Sequence, residues 1–195
     1  EITVTEPAII DVAIINTVTG CTSDTLQVFM ADARPDVDLG GDRILCQNDP
    51  TQTLDAQVVR ATYSWAIDGV VLGTNRTFDI DTTAAGVFEY TVEVTNSFGC
   101  VGRDTIQVSI LEEPDVTVIP NPTTGCGNDD GTIDINFNAS GSYSYELSGT
   151  STFGPVNFDG PGAAPTITAL PPGNYNLTVT NLVSGCTYDE VVPIE

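Results

Sequence analysis

The chain has 195 residues, 27 of them acidic against five arginines, with no lysine and no histidine, so its net charge at pH 7 is −22. Such a surface repels phosphate backbones and anionic membrane faces, which argues against nucleic acid and membrane partners. Without His or Lys, Ser-His-Asp and Cys-His catalysis and Schiff-base chemistry are excluded, and ordinary zinc sites are disfavoured.

Hydrophobic residues make up 41 % of the chain, which indicates folded domains. From the N-terminus, Ile10-Asp-Val12-Ala-Ile14-Ile-Asn16 alternates apolar and polar residues, the period of a strand with one buried face. Asn16-Thr-Val-Thr-Gly20-Cys21 follows, then Asp24-Thr25-Leu26-Gln27-Val28. Residues 1–32 therefore read as the last strands of a domain that begins further upstream.

A second copy starts near residue 33, at Pro35-Asp36-Val37. Its expected strands are Asp36–Leu39, Thr53–Ala56, Tyr63–Ile67, Val70–Leu72, Thr77–Ile80, the stretch from Tyr90 to Asn96, and Thr105–Val108. Asp68-Gly69 is a preferred pair for a tight hairpin turn. The copy ends in Asn96-Ser-Phe-Gly99-Cys100 and Asp104-Thr105-Ile106-Gln107-Val108.

A third copy starts near residue 113, at Pro114-Asp115-Val116. Here Gly127–Gly131 makes a turn before Thr132–Ile135, and Tyr143–Leu147 stands where the second copy has its Trp65 strand. Ser148 to Pro165 is rich in Gly, Pro, Ser and Thr and reads as the longest loop. With Phe153 and Phe158 it is a candidate binding edge, the alternative being an extra hairpin or a covering flap. Tyr175-Asn-Leu177-Thr-Val179-Thr-Asn181 leads to Asn181-Leu-Val-Ser-Gly185-Cys186.

The closing cysteines lie 79 (100 − 21) and 86 (186 − 100) residues apart, the size of one small domain, so the chain reads as a tandem array. Three divisions follow: 1–32, the end of a truncated domain; 33–112; and 113–195. Short strands, turn signals and a Cys…Trp…Cys order predict an all-β fold of tandem immunoglobulin-like β-sandwiches with one disulfide per complete domain. Cysteine arithmetic pairs Cys46 with Cys100 and Cys126 with Cys186, leaving Cys21 without a partner in this chain. Trp65 is expected against the first bridge, whose 54-residue loop (100 − 46) would stabilise the domain by roughly 4 kcal/mol. Paired cysteines at this spacing imply an oxidising, extracellular setting. The joints Ala31–Pro35 and Leu111–Pro114 contain proline and no glycine, which predicts a semi-rigid, extended array.

Acidic clusters at the joints (Asp32, Asp36, Asp38 and Asp42; Glu112, Glu113 and Asp115) are candidates for calcium at the domain junctions. EF-hand spacing is absent, since the twelfth position from Asp36 is Gln47, and a solvated acidic face is the alternative. No other cofactor and no catalytic residues are expected.

The second copy, from Pro35-Asp36-Val37 through Cys46, Tyr63-Ser-Trp65 and Asn96–Cys100, resembles PKD-like or Ig-like repeats of giant surface proteins in Bacteroidota. The third, with Gly125-Cys126-Gly-Asn-Asp-Asp-Gly131 and Leu170-Pro-Pro-Gly-Asn-Tyr175 through Cys186, is similar to the SprB-type repeat of gliding-motility adhesins. The resemblance covers nearly all of residues 33–195, with departures in the longer loop and in Tyr for Trp in the third copy. It implies type IX secretion, display on the bacterial cell surface in long filaments, and O-glycosylation at Asp-Ser/Thr sites. Thr25, Thr82 and Thr105 fit that pattern, the alternative being that Asp-Thr simply begins a strand. The function expected is a non-enzymatic stalk or spacer in a secreted adhesin, whose partners are neighbouring repeats of the same chain. Alternatives are a carbohydrate-binding module engaging a surface polysaccharide, and a self-assembling fibre subunit whose identical chains join by strand addition.

Overall fold

The computed structural model describes residues 8–23, 26–30, 34–125 and 127–195, and among them every regular element is a β-strand. The all-β class expected from the alternation is what forms. Among the described residues no helix is long and apolar enough to cross a membrane.

The first strands, β1 (Ala8–Val12) and β2 (Leu26–Met30), pair with each other antiparallel as a two-stranded sheet. Next come β3 (Arg43–Cys46), β4 (Thr53–Asp55), β5 (Ala61–Ile67), β6 (Val70–Gly73), β7 (Thr77–Asp79), β8 (Gly86–Asn96) and β9 (Val101–Leu111). Their sheet order is β3-β9-β8-β5-β6, with β4 and β7 paired separately. Strand β3 runs parallel to β9, Arg43 opposite Val108 and Cys46 opposite Leu111. The strand expected at Asp36–Leu39 does not form. Leu39 is instead buried in irregular chain, its N–H donating to Asp104 at 2.6 Å, and β3 takes the first place. Asp68 and Gly69 have φ of 47° and 82°, the two left-handed residues the expected tight turn requires.

The chain divides into two compact units: Glu1–Leu39, Asp55–Phe78 and Thr91–Thr105 form one, and Gly40–Leu54, Asp79–Tyr90 and Ile106–Glu195 the other. In the first, Trp65 is 1 % exposed, lies 5.6 Å from Phe78 between ring centroids, and donates its indole N–H to the Asn75 carbonyl at 2.8 Å. Arg76 forks onto both carboxylate oxygens of Asp55 at 2.8 Å, which holds the Asp55 carboxyl below its usual range.

The second unit contains β10 (Val116–Asn121), β11 (Gly131–Gly149), β12 (Phe153–Ala163), β13 (Ile167–Leu170), β14 (Gly173–Asn181) and β15 (Thr187–Ile194). Two strands expected separately, Thr132–Ile135 and Tyr143–Leu147, are halves of the 19-residue β11. The first half pairs with β10 and β13, the second with β14, and β12 follows both. Ile133, Ile135 and Phe137 from one half and Tyr143, Tyr145 and Leu147 from the other enter a single buried core with Tyr175, Leu177, Val179, Val192 and Ile194. Tyr175 donates its hydroxyl to the Pro171 carbonyl at 2.8 Å, a tyrosine corner of the kind found in immunoglobulin-like sandwiches.

The expected binding loop is strand β12. Phe158 stacks on Phe137 at 5.0 Å and Phe153 on Tyr145 at 6.1 Å, both half-buried against the core. Its glycines are there for close approach: a Cβ on Gly160 would sit 2.7 Å from the Ala139 carbonyl oxygen and 3.1 Å from both Phe137 and Tyr143. Inside this aromatic cluster the Tyr145 hydroxyl is buried with no hydrogen-bond partner, and that burial raises its pKa above the usual phenol range.

Urea titration of two variants checks this packing. Tyr145→Phe removes an unpaired buried hydroxyl and is expected to stabilise by about 1 kcal/mol. Gly160→Ala forces β12 away from β11 and is expected to destabilise by about 2 kcal/mol.

The repeated cysteine hairpins

The phrase that recurs three times in the sequence folds into the same turn three times. In the first, Asn16 accepts through Oδ1 from the N–H of Val18 and Thr19 at 2.9 and 3.1 Å, while its carbonyl takes the Gly20 N–H at 2.8 Å. In the second, Asn96 Oδ1 accepts from Phe98 and Cys100 at 2.9 and 3.0 Å. In the third, Asn181 Oδ1 accepts from Val183 and Ser184 at 2.9 and 3.2 Å. Each asparagine N–H closes the hairpin on the cysteine carbonyl, at 2.8, 3.0 and 2.9 Å. Asparagine is needed because its side chain imitates a backbone carbonyl over the next residues. Glycine is needed because Gly20, Gly99 and Gly185 stand at φ of 72°, 79° and 79°.

Two residues beyond each asparagine an apolar side chain points into solvent: Val18, Phe98 and Val183 are 92, 82 and 87 % exposed. Turn geometry fixes the backbone of these tips, and nothing in the turn requires the apolar side chain.

The cysteines do not pair as expected. Cys46 is bonded to Cys186, with S–S 2.07 Å and Cα–Cα 5.5 Å, while Cys100 is a half-buried free thiol and Cys21 an exposed one. Cys126 lies outside the described residues. Strand geometry gives the reason. Cys46 is in register with Leu111 at the far end of β9, whereas Cys100 immediately precedes that strand. Eleven residues of extended chain cover roughly 35 Å, far beyond the Cα separation of about 7 Å that a disulfide tolerates. Trp65 accordingly packs on Phe78 and not on a bridge. The bond that forms closes a loop of 140 residues, worth about 5 kcal/mol in the chain-entropy model.

Cys46 sits in a hydrogen-bonded turn. Its N–H donates to Asp49 Oδ2 at 2.7 Å, and Thr82 donates its hydroxyl to the Asp49 carbonyl at 2.8 Å. The Asn48 amide donates to Glu113 Oε1 at 2.9 Å. Nearby, a cavity of about 490 Å³ is lined by Gln47, Glu112, Glu113, Pro114, Asp115 and Tyr188. Tyr188 donates to Glu190 at 2.7 Å; burial first, then the carboxylates of Glu190 and Glu113, push its pKa up to about 12.

Of the calcium candidates, Asp42 accepts the Gln107 N–H at 2.9 Å, Glu113 accepts from Asn48, and Asp115 accepts from the Asn138 amide at 2.9 Å. Asp36 and Asp38 lie in irregular chain before β3, Glu112 lies between β9 and β10, and Asp32 is outside the described residues. Among the described residues no three His, Cys, Asp or Glu side chains gather as a metal site. Of the glycosylation candidates, Thr105 is exposed, with its hydroxyl 3.0 Å from that of Thr91. Thr82 is 6 % exposed and bonded to Asp49, so an enzyme would reach it only before folding. Thr25 lies outside the described residues.

The geometry defines an all-β protein of disulfide-containing sandwich type. No protein-family model matches the chain, and no curated protein matches it. Among solved structures it is similar to a quinonprotein alcohol dehydrogenase-like protein from Bacteroides thetaiotaomicron, at 12 % identity over 80 % of this chain and 49 % of that one, with TM-score 0.38. It is also similar to a mutated variant of three titin immunoglobulin domains, at 13 % identity over 88 % of this chain and 69 % of that one, TM-score 0.40. A third is Bacteroides ovatus SGBP-B of a mixed-linkage glucan utilization locus, solved with a mixed-linkage heptasaccharide: 12 % identity, 84 % and 69 % coverage, TM-score 0.32. The chain spans about half the length of the first of these. At this level of similarity they identify no family and no activity.

Trypsin separates the possible bridges, because cleavage at Arg43, Arg60, Arg76 and Arg103 places Cys46, Cys100 and Cys186 on three peptides. Without reduction, peptide 44–60 is expected to travel with 104–195; its travelling with 77–103 would restore the Cys46–Cys100 pairing.

The raised Tyr188 pKa has a consequence at high pH. The folded state holds this proton more tightly than the unfolded chain does, so the contribution is full below pH 10 and is lost as pH rises from about 10 through 12. In an ultraviolet titration, Tyr188→Phe is expected to remove tyrosinate absorbance near pH 12 and to leave the part near pH 10 unchanged.

Proposed function

We propose that this chain is a non-catalytic spacer segment of a large secreted bacterial surface adhesin or filament, exported to the cell surface and built of tandem sandwich domains. The observation that carries the reading is the Asn…Gly-Cys hairpin, constructed three times on the same hydrogen bonds at domain-sized intervals. A catalyst needs one site; a spacer repeats its parts. The bond between Cys46 and Cys186 supports an oxidising, extracellular setting. A charge of −22 suits a soluble surface that resists unspecific association.

A polysaccharide-binding role is the second reading. Phe153 and Phe158, the aromatics first considered for it, face the core, so its platform would have to be Phe98, which is 82 % exposed. Completion of residues 1–32 by another chain is the fibre alternative; β1 and β2 here pair with each other.

Electron cryo-microscopy of the native full-length protein tests the proposal. The expected result is a single file of domains, each completed by its own chain. Ordered lateral contacts between chains, with the first strands completed in trans, would make it a filament subunit instead. Glycan-array binding by this chain that Phe98→Ala abolishes would favour the polysaccharide reading.

A further inference from the structure

The five cysteines are of two kinds. Cys21, Cys100 and Cys186 close the asparagine hairpin, while Cys46 and Cys126 each open the sequence Cys-x-Asn-Asp, as Cys46-Gln-Asn-Asp49 and Cys126-Gly-Asn-Asp129. The bond in the structure joins an opening cysteine of the second copy to the hairpin cysteine of the third. Cys100 stands on the same hairpin as Cys186, with the same asparagine acceptor, the same left-handed glycine and the same backbone closure. Its thiol is nevertheless free. The difference between them is the partner: the segment before the second copy carries Cys21 and no opening cysteine, whereas the third copy is preceded by one that has Cys46.

We infer that the bridges form a ladder along the array, each opening cysteine bonding the hairpin cysteine one copy further on. This deepens the spacer reading and rests on it. Cys126 is then the donor half of a bridge whose acceptor is an Asn…Gly-Cys hairpin on an adjoining sandwich of the same kind. Cys100 is the acceptor half for an opening cysteine in a copy on its N-terminal side. Each bridge forms by loss of two hydrogens from two thiols. A disulfide oxidant such as oxidised glutathione takes the two electrons and two protons and leaves as two thiols. A ladder of this kind ties each domain covalently to the next beyond the peptide link. Bridges confined within single domains would leave the joint to the peptide alone.

The test extends the chain at Glu195 by a second copy of residues 33–112, with Cys100→Ser in the original copy only. The product is oxidised with a glutathione redox pair and cut by a glutamyl endopeptidase without reduction. Cleavage after Glu93, Glu112, Glu113, Glu146 and Glu190 separates Cys126 (114–146), Cys186 (147–190) and the added hairpin cysteine (equivalent to 94–112). The ladder requires 114–146 to be linked to the added hairpin peptide. Linkage of 114–146 to 147–190, a bridge between the two cysteines of the added copy, or a free Cys126 would overturn it. A second measurement uses the unextended monomer. Alkylation after denaturation is expected to mark Cys21, Cys100 and Cys126, and protection of Cys100 or Cys126 by a bridge within its own copy would refute the inference. Such a bridge would leave the spacer reading standing, so the two fail separately.

Discussion

The second unit depends on one constraint: the side-chain alternation of β11 never slips. From Ile133 to Leu147 the odd-numbered positions carry the core, although the strand changes partners near Asn138–Ser142. A shift of one residue at that bend would turn Tyr143, Tyr145 and Leu147 to solvent. The bend keeps parity because the hinge residues are small or polar and leave room for the chains that cross there, Gly160 and Gly141 lying against Phe137 and Tyr143. Everything else in the unit packs against a face already decided by this strand.

The hairpins show a second economy of design, in which three residue types perform three separable jobs. Asparagine supplies the acceptor that starts the turn, glycine the left-handed residue that ends it, and cysteine the point where the finished hairpin can be tied to something else. The first two jobs are local, so they are the same in all three copies. The third depends on a partner, and it differs: Cys186 is bonded and fully buried, Cys100 half-buried and free, Cys21 exposed.

That division explains which features were legible in the sequence. Strand alternation and turn chemistry are local, so Tyr63–Ile67, the Asp68-Gly69 turn and the Tyr175 strand could be read from the residues alone. Cysteine pairing is not local. Spacing suggested bridges within copies, but Cys46 lies in parallel register beside the C-terminal end of β9, which the sequence does not announce. The shared Cys-x-Asn-Asp context of Cys46 and Cys126 was the available signal that opening and hairpin cysteines are different kinds. Residues 148–165 misled for another reason. Glycine and proline there signal a loop by composition, while in the fold Gly154 and Gly160 are small because β12 passes against the backbone of β11. Composition does not distinguish a residue chosen for flexibility from one chosen for lack of volume.

The acidity of the chain also has a structural side. With five arginines for 27 acids, most carboxylates cannot have a cationic partner, and many instead accept from neutral donors. Asp79 takes the Thr53 hydroxyl at 2.6 Å, Asp134 that of Thr166 at 2.6 Å, Asp159 that of Ser142 at 2.7 Å and Asp189 that of Thr178 at 2.6 Å. Where the acceptor also caps a turn the ionised form is favoured: Asp81 is held below the usual carboxylate range by the Thr83 N–H and hydroxyl, and Asp130 by the hydroxyl and N–H of Thr124. These contributions are present at neutral pH and are lost as pH falls through the lowered values. Aspartate beside threonine therefore acts in this fold as a cross-strand and turn-capping acceptor. The same acids that give the surface its charge also fasten its loops, so the charge does not by itself imply a bound cation.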